Sequence, residues 1–164
     1  MRALWKAFDK VLNVMAALAG IILMFTCAAV CYTIGMRFFF TKTTIWITQT
    51  TEYALLWIVF LSTTWLLREG GHIATDILHG SLGEKARRRL DLVMFVSAAI
   101  ACAVCLYYGI SYTLEAIVNG VTDVRAVTVP KAAIFSIIPC GFFLLTIQFL
   151  RMSWDRLLEI IAES

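Results

Sequence analysis

Three groups of side chains in this chain have types and spacings that could carry chemistry. Cys102-Ala-Val-Cys105 has the CxxC spacing of a redox pair, which could pass disulfide electrons to a quinone; Cys27, Cys31 and Cys140 complete the five cysteines. Glu52 lies within an otherwise apolar run, and Arg37, upstream across a short connection, is its natural ionic partner. Such a buried acid could serve a proton- or cation-coupled exporter, or simply close an ion pair. Glu115 also falls in an apolar run, near its end, where it can snorkel to the interface. His72, Asp76 and His79 share one polar segment. A zinc site there lacks a fourth ligand of any clear spacing, and haem ligation would need histidines inside the apolar runs, where none occurs. No metal or cofactor is therefore expected in this chain.

The elements that must position these residues follow from composition. Of 164 residues, 61% are apolar and 15% charged, against about 45–50% and 25% in soluble domains. The net charge of +3 is scattered between apolar runs, which does not suggest nucleic-acid binding. The expectation is an all-α integral membrane protein, one domain over 1–164, with four transmembrane helices at about 11–36, 45–67, 92–118 and 132–150. Each run is continuous rather than alternating, which excludes barrel strands. The first run has 26 residues. At 1.5 Å each it is roughly 39 Å long, so it must tilt or project beyond a core of about 30 Å. It is too long for a signal peptide and reads as a retained helix. Cys102 then lies roughly 15 Å deep, where a thiolate is costly and an exchange partner cannot reach. Its ordinary role there is packing.

Lys and Arg counts orient the chain. With the N-terminus inside, the inner side holds Arg2, Lys6, Lys10, Arg68, Lys85, Arg87, Arg88, Arg89, Arg151 and Arg156; the outer side holds Arg37, Lys42, Arg125 and Lys131. Both termini are therefore expected in the cytoplasm. Residues 1–10, with Leu4, Trp5 and Phe8 on one face, suit a short helix in the headgroup layer. Trp154, Leu157, Leu158 and Ile161 give the other end the same character. Ser81-Leu82-Gly83-Glu84 is a capping box that starts a helix through the basic cluster Lys85, Arg87, Arg88 and Arg89, which faces anionic lipid, and on into the third span. Asn119-Gly120 ends that span, and Pro130 fits the first turn of the fourth. Ala16/Gly20 and Ala98/Cys102 are small-xxx-small pairs that favour close helix contact. The outer segments, 38–45 and 119–131, are short enough to leave a flat face.

A spaced set of residues now gains meaning. Arg37 ends the first span and Trp46 opens the second. Glu52 follows, then Trp57, Phe60 and Leu61 as W-x-x-F-L, Arg68, and His72 and Asp76 as H-I-A-T-D; Pro130 and Pro139 lie nine apart, with Gly141 behind. The whole set resembles the small membrane subunit, DctQ type, of tripartite ATP-independent periplasmic (TRAP) transporters. Many members carry a Glu three residues after the Trp. Here that position is Gln49, which favours a structural part for Glu52.

The resemblance implies a bacterial inner-membrane, multi-pass subunit of a secondary uptake system, and not an enzyme. In that system a periplasmic substrate-binding protein captures an organic acid, and a large membrane permease subunit, DctM type, carries the substrate and sodium sites. The small subunit would brace the large one and help seat the periplasmic protein, with membrane lipids around it. Arg37 and Glu52 would fix the outer hairpin, Trp46 would anchor the second helix, and Arg68, His72 and Asp76 would order its cytoplasmic end. A thiol–quinone oxidoreductase and a small homo-oligomeric exporter remain the alternatives.

Overall fold

The structure, a computed structural model, describes residues 2–40, 45–70, 84–125 and 127–162. Four helices long and apolar enough to cross a membrane dominate it, because in hydrocarbon every backbone N–H and C=O must find a partner within its own segment. They are α1 (Arg2–Phe40), α2 (Ile45–Arg68), α3 (Glu84–Val118) and, after a short α4 (Lys131–Phe135), α5 (Ile137–Ala162). Between α3 and α4 stand two antiparallel strands, β1 (Thr122–Val124) and β2 (Thr128–Pro130), with Asp123 opposite Val129.

The long helices pack in the order α1–α2–α5–α3. α1 buries one stripe, with Leu12, Ala19 and Thr26 buried and Met15, Ile22, Ala29 and Thr33 half-buried. The steps alternate three and four residues, the spacing of a helix that meets one neighbour along a seam. The α1–α2–α5 core gathers Ala19, Leu61 and Ile137, packed against Met15, Leu56, Trp57, Phe60 and Ile138. Where α2 crosses α5, Gly141 is obligatory: a Cβ there would stand 2.5 Å from Phe60 Cδ1. The outward faces of α1 and α3 remain apolar and exposed, as lipid-facing or partner-facing surfaces must be.

Several expectations change. Residues 2–10 are not a separate surface helix. α1 runs unbroken for 39 residues, since no proline interrupts it and its first turns are tied down: Arg68 Nη1 donates to the Asp9 carbonyl at 3.1 Å, and Arg151 Nη1 to Asp9 Oδ1 at 3.0 Å. Those bonds also put the start of α1 and the ends of α2 and α5 at one end of the molecule, the terminal end; β1 and β2 mark the other, the hairpin end. Gly20 meets open space rather than a neighbouring helix, so Ala16/Gly20 is not a close contact within the chain.

The segment 119–131 is not a plain connection. α3 does stop at Asn119-Gly120, where Gly120 takes φ +57°. Val121 N–H donates back to the Ala116 carbonyl at 3.2 Å and Gly120 N–H to the Ile117 carbonyl at 3.3 Å, a Schellman closure. The Val/Thr-rich residues beyond then pair as strands, and Lys131 N–H closes their base on the Val121 carbonyl at 3.0 Å. The fourth span is likewise broken in two. Pro139 has no N–H for the Phe135 carbonyl, so α4 ends at Phe135 and α5 starts at Ile137 with Pro139 in its first turn, where proline is tolerated. Pro130 caps α4 rather than lying inside it.

Candidate functional site

Ser and Thr hydroxyls are spread along the helices, and Thr64 Oγ1 and Gln148 Oε1 are buried without a hydrogen-bond partner. The charged side chains that bond across elements gather at the two ends of the molecule, and at the hairpin end they join Gln49 and Tyr53 in holding the strands onto α2. Gln49, Glu52 and Tyr53 follow i, i+3, i+4 spacing on α2 and share one face. Gln49 is the centre, 4% exposed. Its Oε1 accepts the Val127 N–H at 2.9 Å and its Nε2 donates to the Val127 carbonyl at 2.8 Å, so one side-chain amide bonds both backbone polar groups of one residue. Nε2 also donates to the Tyr53 hydroxyl at 2.8 Å, and that hydroxyl donates to Asp123 Oδ2 at 2.5 Å.

Arg125, at the hairpin tip, closes the outside of this clamp. Its Nη1 donates to Glu52 Oε2 at 2.7 Å, and its Nε lies 3.4 Å from Asp123 Oδ2. Asp123 first, then Glu52, hold the guanidinium charge more firmly than usual. Arg125 and Glu52 are 56% and 53% exposed, so solvent screens their pair and it adds little to stability. Gln49 is itself buried and its bonds are partly so, and leaving its own amide without partners there costs about 1–3 kcal/mol. Gln49, not the salt bridge, therefore fixes the hairpin.

Glu52 thus pairs with Arg125 and not with Arg37, which is exposed and has no ion-pair partner among the described residues. The reason lies in direction: Glu52 is one helical turn beyond Gln49 on the face that the hairpin covers. The buried-acid exporter reading loses its premise, since Glu52 is half in solvent and already paired.

At the terminal end, Asp9 is the hub. Arg151 and Arg68 approach its Oδ1 at 3.0 and 3.8 Å, Arg68 Nη2 donates to Asn13 Oδ1 at 2.6 Å and to Glu69 Oε1 at 2.8 Å, and the Arg151 guanidinium stacks over Trp5 at 4.7 Å. One carboxylate ties α1 to α2 and α5. Arg156 reaches Asp91 at 3.8 Å, joining α5 to α3.

Of the residues singled out from sequence, Gln49, Glu52 and Arg68 fall in these clusters. Trp46 opens α2 half-exposed, and Trp57 packs on the core. Arg89 is exposed on the first turns of α3, while Arg88 is half-buried with a partner. His72 and Asp76 lie outside the described residues, as do the side chains of Lys85 and Arg87. The five cysteines are free, with Cys102 half-buried and Cys105 exposed on α3. Sequence reasoning missed Tyr53, Asp123, Arg125, Asp9 and Arg151. The only local signal was Tyr53, one turn from Gln49.

Among the described residues the arrangement brings no His, Cys, Asp or Glu trio together for a metal. What it does is mechanical: it locks helix ends and holds one extramembrane hairpin on a membrane helix. A family model described as tripartite ATP-independent periplasmic transporters, DctQ component, matches residues 26–159, which include the whole clamp. No curated protein matches the chain.

Proposed function

We propose a function from one premise: the chain belongs to the DctQ family, the small membrane component of tripartite ATP-independent periplasmic transporters. It acts as the small permease subunit of a sodium-coupled organic-acid uptake system in the bacterial inner membrane. It braces the large, DctM-type permease subunit and offers its hairpin end to the periplasmic substrate-binding protein. Sodium and substrate sites belong to the large subunit.

One observation carries this reading: each polar cluster joins parts of the chain to one another. Gln49, Tyr53, Asp123 and Arg125 satisfy each other at the hairpin end, and Asp9, Arg68 and Arg151 do so at the terminal end. A carrier needs polar groups left open to a substrate or ion near the membrane midplane; a brace needs rigid ends and broad apolar faces. The excess of Lys and Arg at the terminal end supports a cytoplasmic place for that end and a periplasmic one for the hairpin.

The test is co-purification from native membranes in mild detergent, followed by reconstitution. A large polytopic permease should accompany the tagged chain in fixed ratio, and uptake into liposomes should need both chains, the periplasmic protein and a sodium gradient. Recovery of this chain alone, as a homo-oligomer that moves cations or reacts with quinone, would refute it.

A further inference from the structure

Two buried polar atoms have no hydrogen-bond partner: Thr64 Oγ1 on α2, in a residue with no exposed surface, and Gln148 Oε1 on α5, in a residue 4% exposed. Inside a membrane bundle such groups are costly, and each calls for a partner. Thr64 also departs from the other threonines of its helix. Thr50, Thr51 and Thr63 each donate to the carbonyl four residues back, whereas Thr64 makes no such bond to Phe60. Its hydroxyl is not engaged by its own helix.

The packing of α2 on α5 brings the two atoms together. A Cβ on Gly141 would stand 3.0 Å from Phe60 Cβ, which sets these residues level and face to face. Thr64 is one turn past Phe60 and Gln148 two turns past Gly141. At 100° per residue, Thr64 is turned about 40° one way from Phe60 and Gln148 about 20° the other way from Gly141. Both helices run from the hairpin end to the terminal end and face each other, so these opposite turns carry both side chains to the same side of the contact. That side looks toward α1: Arg68, four residues past Thr64, and Arg151, three past Gln148, meet there on Asp9. Gln148 starts about 4.5 Å nearer the terminal end. Helical side chains lean back toward the N-terminus, so its longer chain returns to the level of Thr64.

The chemistry of the two atoms selects what joins them. The Thr64 hydroxyl can donate, and the Gln148 carbonyl oxygen only accepts. A bridging group must therefore accept from one and donate to the other. A cation is disfavoured by Arg68 and Arg151 one turn away, and an anion has no proton for Gln148.

We propose that one buried water bridges Thr64 Oγ1 and Gln148 Oε1 and locks α2 to α5 one turn inside the Asp9 hub. Its second proton has the Phe60 carbonyl to go to, the acceptor that Thr64 leaves unused, which gives it the three bonds usual for an internal water.

The test is water–amide cross-relaxation by NMR on the full deuterated chain in detergent, labelled with ¹⁵N-glutamine. The chain has two glutamines, Gln49 and Gln148, so Gln148→Leu assigns the signals. The Gln148 side-chain amide should show a dipolar cross-peak to water, lost in Thr64→Val and kept in Thr64→Ser. Absence of the cross-peak in the wild type, as a direct Thr64–Gln148 bond would give, or its persistence in Thr64→Val, would overturn the proposal. Stability is the second readout. Thr64→Val should lower the melting temperature by about 2–4 °C, the effect of about one hydrogen bond in a chain of this size, and should lower it no further once Gln148 is Leu. A rise in the single variant would show an unpaired hydroxyl and overturn the bridge.

Discussion

Replacing Gln49 with Glu should turn a pH-independent clamp into a pH-dependent one. The Gln49 amide both accepts from and donates to Val127, at 2.9 and 2.8 Å. An ionised carboxylate still accepts the N–H, but its second oxygen faces the Val127 carbonyl, acceptor against acceptor. The bond to Tyr53 also loses its donor. Two donated bonds at about 1 kcal/mol each give roughly 2 kcal/mol, or about a 30-fold loss in the docked-to-undocked ratio. A protonated carboxyl restores the ring, because its O–H donates to the carbonyl. Protonation thus favours docking, so docking is stronger at low pH and weakens as pH rises and the introduced carboxyl ionises. Hydrogen exchange on the peptide 121–131, corrected for intrinsic rates, measures this directly. The wild type should keep its protection from pH 4 to 8. Gln49→Glu, with one O–H in place of two donated bonds, should lose about five-fold near pH 4 and about 30-fold at pH 8, with α3 and α5 unchanged. Equal protection at pH 8, or a loss of the same size at both pH values, would refute the reasoning.

The exposed outer pair should matter far less. In a double-mutant cycle on hairpin protection, Glu52→Gln with Arg125→Gln should couple only weakly, and the coupling should fade in high salt. Asp9→Ala leaves Arg68 and Arg151 without their shared carboxylate. It should lower thermal stability by about 1–2 kcal/mol and raise hydrogen exchange at the start of α1, while Asp9→Asn recovers part of the loss. Gly141→Ala drives a methyl against Phe60 and should cost about 1–3 kcal/mol in a thermal unfolding measurement; pairing it with Phe60→Leu should restore part of that.

The sequence alone determined the solvent, the spans and the family. A membrane-spanning helix answers to local apolarity, because lipid leaves the backbone no other partner. Each of the four runs accordingly lies within a helix long and apolar enough to cross a membrane. Arg37, Trp46, Glu52, Trp57, Arg68 and the two prolines carried the DctQ resemblance because they punctuate those runs. What lay beyond reach was whatever depends on residues far apart in the chain. Strands of three residues are too short for a period to show, so Thr122–Val124 and Thr128–Pro130 read as loop. The partner of Glu52 was assigned by nearness in sequence to Arg37, whereas the folded chain brings Arg125 to it across 73 residues. Asp9 lies in the segment 1–10 that the sequence suggests as a surface helix, and only the fold brings Arg68 and Arg151 to it from two other helices. Gln49 was visible only as a missing carboxylate. The tertiary structure made it the centre of the clamp, because its amide both takes a hydrogen bond from the Val127 N–H and gives one to the Val127 carbonyl, which an ionised carboxylate cannot do.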